Sequence, residues 1–282
     1  MTENVLPHFS DPPLSEVAIS VQFEPLEKLA VPEIGLLWQH YGSRFNHVEQ
    51  HPPIEPVIER YGVRESESNF PNINIQLLTG GPPLPRIWFL SEDKTELLQI
   101  QQDRFIRNWR KVKKGDQYPR YDDHIRPKFL EDIKDFKEFL RDNNIGKIIP
   151  NQCEVTYTNI LVSGSVWHSH SEIGKIFSFW ASDYESFDDC EIENARFQIR
   201  QIIRDSSGEF VGRLYVSASP VYKGSEDTPC YSLTLVARGK PLSNDLDGII
   251  GFVDLGREKI VKSFAKITDK KLHDLWGRQD LN

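Results

Sequence analysis

Strand-period alternation with a single apolar parity is the feature that most narrows what this chain can fold into. In Leu14 to Phe23 (LSEVAISVQF), Val17, Ile19 and Val21 alternate with Ala18, Ser20 and Gln22. In Ala195 to Arg204, Phe197 and Ile199 take one parity, and Arg196, Gln198 and Arg200 the other. Leu214, Val216 and Ala218 alternate with Tyr215, Ser217 and Ser219 across Gly212 to Tyr222. Tyr231, Leu233 and Leu235 alternate with Ser232, Thr234 and Val236 across Cys230 to Arg238. Such strands give a sheet with one face that must be covered and one that meets water. That is the habit of antiparallel sheets rather than of parallel, doubly wound ones.

The chain also supplies the cover. After Pro127, Phe129, Ile133, Phe136 and Leu140 fall on one helical stripe, and Asn143, Asn144 and Gly146 end it. A second long helix runs from Asp245 to Lys266, with Ile250, Val253, Ile260, Val261 and Phe264 on its apolar side. A shorter one opens near Pro32 and carries Ile34, Leu37, Trp38 and Tyr41, the same spacing reaching Phe45. Thr268 is placed as the N-cap of a last short helix that Gly277 stops.

Strand, linker or helix, antiparallel strands, long helix: this order occurs twice, and Glu154 to Leu161 (EVTYTNIL) parallels Glu16 to Phe23 (EVAISVQF). The expected fold is α+β. It has two related halves, 14–150 and 151–282, behind a polar arm, 1–13. Each half is an antiparallel sheet covered by a long helix, a helix-grip or TBP-like tandem duplication. A pair of such units can join into one continuous sheet with helices on one side. An analogy at this level implies no function.

The 282 residues carry a formal charge of −8, which argues against general nucleic-acid binding. With 38% hydrophobic residues and 16 Phe, 9 Tyr and 6 Trp, the chain has the large side chains a packed core needs. Cys153, Cys190 and Cys230 are odd in number, widely spaced and form no CxxC, so neither a disulfide framework nor a cysteine zinc site is indicated. Buried or half-buried thiols in a reducing cytosol are expected instead. Met1 to Pro13 has no apolar core of a signal peptide, and no stretch reaches the roughly 18 apolar residues of a membrane helix. A cytoplasmic location follows as the expectation.

No reaction constellation stands out. There is no GxSxG and no Walker pattern, Gly80–Gly81 lacks the GxGxxG context, and Asp122–Asp123 and Asp188–Asp189 lie in polar segments suited to capping or solvation. The 47–85 stretch, rich in Pro, Gly and Asn, reads as loops with one or two short strands such as Asn74 to Leu78. His168 and His170 would share a face on a strand, yet no third ligand follows nearby, so no metal and no cofactor are expected. Arg86 to Leu90 and Glu96 to Trp109 are strand candidates around the turn SEDKT. Within Leu97 to Arg110 (LLQIQQDRFIRNWR) the apolar parity switches midway, which suggests a bulge at Gln101–Gln102. Gln99, Gln101, Arg104 and Asn108 there make a polar row suited to a ligand or partner. The basic loop Arg110 to Tyr121 (RKVKKGDQYPRY) adds Arg110 and Arg120, and its interleaved aromatics suit phosphates and bases. Each of these surfaces has a plainer reading as a solvated face or loop.

PPLSEVAISVQF, LQIQQDRFIRNWRK, YPRY, EVTYTNI and the C-terminal LWG are spread over nearly the whole chain, NWRK followed by YPRY being the most specific. In these segments the chain resembles a family of sporadically distributed prokaryotic proteins without an assigned activity. The resemblance implies gene neighbourhoods of bacterial defence, antiviral or toxin–antitoxin type. It carries over no catalytic residue. The expected function is a non-enzymatic binding protein whose partner is another protein, met on a sheet face or a groove between halves. Homo-oligomerisation is left open. Nucleic-acid or nucleotide binding through the 110–121 loop is the alternative.

Overall fold

The computed structural model describes residues 6–61, 84–180, 186–187 and 189–279. Gly80–Gly81, the 74–78 strand candidate and Asp188 lie outside them. Nine strands form one sheet: β1 (Leu14–Phe23), β2 (His47–His51), β3 (Arg86–Leu90), β4 (Glu96–Gln101), β5 (Arg104–Arg110), β6 (Pro150–Val162), β7 (Phe197–Arg204), β8 (Phe210–Lys223) and β9 (Thr228–Gly239). Their order is β7-β8-β9-β6-β1-β5-β4-β3-β2, and every neighbour is antiparallel. The helices are α1 (Val31–Tyr41), α2 (Arg126–Asp142), α3 (Leu246–Ile267) and α4 (Lys270–Leu275). The molecule is therefore α+β, dominated by an antiparallel sheet. No helix among the described residues is long and apolar enough to cross a membrane.

The alternation sets the two faces. Register pairs Val17 with Tyr157 and Trp109, Ile19 with Val155 and Arg107, and Val21 with Cys153 and Phe105. All but Arg107 are apolar or a thiol, all are buried, and their common face is the one the helices cover. Phe136 of α2 contacts Phe23 and stacks on Phe105, with centroids 5.3 Å apart. Phe252 of α3 lies across Gly212 and Gly239, which pair in register and whose missing side chains make room for the ring. Asp245 caps α3 by accepting from Gly248 N at 2.8 Å.

Three expectations need correction. Glu96 to Trp109 is two strands: Gln102–Asp103 turns the chain back, and Gln101 pairs with Arg104. The parity switch came from this reversal, not from a bulge. Thr268 does not cap the last helix. Asp269 does, accepting from Lys271 N, while the Thr268 hydroxyl donates to Phe264 O at 2.7 Å and closes α3. Cys153 and Cys230 are buried thiols, but Cys190 is exposed.

Burial pushes the Cys153 thiol from its ordinary 9.0 up to about 12. Its folded-state pKa lies above the unfolded value, so the unfolded chain gives up this proton first. The stability it contributes is intact below about pH 9 and is lost progressively up to about pH 12. Melting temperature is therefore expected to fall as pH rises from about 9 to about 10.5, and Cys153→Ala to flatten that fall. An equal slope in both proteins would contradict the assignment.

Candidate functional site

The opposite sheet face carries the even-numbered residues of β1 and their register partners, and it is strongly polar. A segment of the chain itself, residues 52–61, crosses this face from strand to strand. The sequence prepares it for that path. Pro52, Pro53 and Pro56 fix their own φ and bias the residues before them to extended conformations, so less conformational freedom is lost when the segment is held.

Its contacts follow the strand order. On β4, the Gln101 side chain pairs with both backbone groups of Ile54: Oε1 accepts from Ile54 N and Nε2 donates to Ile54 O, each at 2.9 Å. On β5, Arg104 Nη2 donates to Glu55 O at 3.2 Å and to Gln22 Oε1 at 2.6 Å. On β1, Gln22 Oε1 also accepts from Val57 N at 2.9 Å. On β6, Gln152 Oε1 accepts from Glu59 N at 3.3 Å. Glu59 then pairs with Arg213 of β8 and Arg238 of β9 and accepts from Tyr215 OH at 2.7 Å. Tyr61 stacks on Phe210 at 5.8 Å. Strands stand about 4.8 Å apart, so the way from β4 to β8 is about 24 Å. A fully extended chain from Ile54 to Tyr61 reaches about 23 Å, so the segment has little slack.

The polar row read from the sequence lies under this crossing. Gln99, Gln101, Arg104 and Asn108 are all buried. Gln101 and Arg104 hold the segment. Gln99 Nε2 donates to Asn108 Oδ1 at 2.8 Å, and Asn108 Nδ2 to Glu16 Oε1 at 2.6 Å. Burial holds the Arg104 guanidinium below its ordinary pKa, and the charges of Glu154 and Asp103 oppose that. Burial, then the Glu59 charge, pushes Tyr61 up to about 12.

Arg110 and Arg120 stand elsewhere. Arg110 Nε donates to Lys94 O at 2.8 Å, across the hairpin end. Arg120 donates to Phe9 O at 2.7 Å and Ser10 O at 3.0 Å, fixing the N-terminal arm on the helix side. The structure thus brings four of the six residues together and separates the other two. Lys111, Lys113 and Lys114 of the basic loop are exposed. His170 opens a 3₁₀ turn rather than sharing a strand face with His168, and its Nε2 lies 2.8 Å from Cys230 O.

Sequence reasoning missed Gln22, Gln152, Glu59, Arg213 and Arg238. Gln22 and Gln152 carried one available signal, a long amide on the wet parity of a central strand. Beside the crossing, Thr156, Thr158, Ser217, Ser232 and Thr234 form a half-buried floor of short hydroxyl side chains. No protein-family model and no curated protein matches the chain.

Proposed function

We propose that the chain is a binding protein whose sheet face opposite the described helices receives an extended polypeptide from another protein, with segment 52–61 as its resident occupant. One observation carries the reading. Three glutamines on three strands offer side-chain carbonyls to the backbone N–H groups of Ile54, Val57 and Glu59. Contacts to main chain do not depend on side-chain identity, so a different segment can make them. The Arg213–Arg238 pair adds one requirement, a carboxylate where Glu59 sits. The hydroxyl-lined floor beside it has short side chains, which let a backbone come close to the sheet.

The strand order supports two copies of one unit behind this face. Outward from the β1–β6 contact, both sides run first strand, last strand, then the preceding one, and a long helix follows the last strand each time. A face shared by two such units is wide enough for a crossing of six strands.

The test replaces residues 52–61 with a Gly/Ser stretch of equal length and adds a synthetic peptide with the 51–61 sequence, His51 to Tyr61. Saturable binding by calorimetry is expected, with alanine at the Glu59 position weakening it at least about tenfold. Alanine at the Ile54 position is expected to change it little. A correctly folded replacement protein that does not bind the peptide would overturn the proposal.

A further inference from the structure

On the helix side of the sheet, away from the crossing segment, a cavity of about 250 Å³ opens between α3, the N-terminal arm and the 118–123 turn. Its deep wall is apolar, with Phe9, Leu235, Ile260 and Phe264. Its polar wall carries Arg120 and Arg257, with the exposed carboxylates of Asp122 and Asp123 beside them. Arg257 stands over the Tyr121 ring with its guanidinium 4.8 Å from the centroid. Arg257 Nε is shielded from solvent and has no hydrogen-bond partner among the described residues. Its Nη2 reaches Asp122 Oδ2 at 3.3 Å, but the Asp122 side chain is 70% exposed and that of Arg257 only 22%. The carboxylate therefore faces water while the guanidinium faces the low-dielectric interior, where charge acts more strongly. Arg120 is held by two neutral carbonyls, so its charge adds to the same sign.

Neutral hydroxyls line the same space. Tyr118 OH and Tyr157 OH are 3.2 Å apart. Two hydroxyls carry two hydrogens, and a bond between them uses one, leaving the other for a ligand. Burial raises both phenols, keeping them protonated donors at neutral pH. His8, which also lines the cavity, is held below its ordinary value by burial and then by the charges of Arg120 and Arg257.

We propose that this cavity binds a small organic carboxylic acid, its carboxylate on Arg257 and the Tyr118–Tyr157 hydroxyls and its apolar body against Leu235, Ile260 and Phe264. A dry cavity of roughly 150 Å³ takes a benzene ring, so this one suits about ten non-hydrogen atoms. The site lies on the opposite sheet face from the polypeptide surface, so either proposal stands or falls without the other.

The experiment titrates the full chain by calorimetry with phenylacetate and its uncharged isostere phenylacetamide. Phenylacetate is expected to bind at least about tenfold more tightly than the amide. Arg257→Gln should remove that preference, and Val261→Trp, which fills the cavity from α3, should abolish binding of both. Asp122→Asn leaves Arg257 in place and removes the carboxylate that its Nη2 reaches, so it should tighten phenylacetate binding severalfold even if Arg257→Gln does not fold. Equal affinity for acid and amide, unchanged binding in Val261→Trp, or no binding of phenylacetate up to about 10 mM would each overturn the proposal.

Discussion

Asp132→Ala is expected to cost about 3–5 kcal/mol of stability, the range for removing one partner of a buried ion pair. Asp132 sits on α2 with no solvent exposure. It pairs with Arg44, which follows α1, and its Oδ2 lies 2.9 Å from Arg107 Nε. Arg107 is the one charged residue on the covered face of β5, 5% exposed, and it also pairs with Glu96 of β4. Three parts of the chain thus meet at one carboxylate, and Arg107 links it to β4. Its loss leaves Arg107 buried with a single counter-charge that it shares with His124. Arg44 loses less, since it is partly exposed and still reaches Asp135. Replacing Arg107 and Asp132 together with Met and Leu should recover most of the loss, because no unpaired charge then remains. Urea unfolding of the single and double variants measures both. A single-variant cost below about 1 kcal/mol would show that the pair is not buried as described.

Glu59→Ala is expected to act differently, loosening residues 52–61 while leaving the sheet folded. Glu59 is 4% exposed and meets Arg213, Arg238 and Tyr215. Removing it takes a shared counter-charge from two guanidiniums beneath the segment, of which Arg238 keeps Glu154. The segment can relieve that by lifting off, after which both arginines face water. The cost is therefore about 2–3 kcal/mol, less than for a fully buried pair because Arg238 keeps 24% exposure. Local proteolysis reads this directly. Cleavage within 52–61 should accelerate more than tenfold at a temperature where the global melting curve has barely moved. Glu59→Gln, which keeps an acceptor for Tyr215 but not the charge, should fall between the two.

The sequence made β8 and β9 legible because their alternation is strict and one parity is wholly apolar. β4 and β5 were harder for two physical reasons. Gln102–Asp103 reverses the chain without the glycine or asparagine that marks a tight turn. Arg107 then puts a charge on the covered face, a placement that only Asp132, on another element, makes tolerable. Segment 52–61 was visible as a Pro-rich stretch, and its lack of regular structure was legible. Its role was not, since the glutamines that hold it lie on strands up to 93 residues away in sequence. Gln101 and Arg104 were singled out as a surface, and the fold makes them the floor beneath another segment. The cavity behind Arg257 left no local mark either, because its walls come from the N-terminal arm, the 118–123 turn, β6, β9 and α3.

Amide exchange of residues 52–61, resolved by NMR, measures whether the sheet face holds a polypeptide by its main chain. The amides of Ile54, Val57 and Glu59 should be protected while those of Glu55, Ile58 and Arg60 exchange quickly, and Gln101→Ala should release Ile54 before Glu59. Uniformly fast exchange across all six would contradict the account.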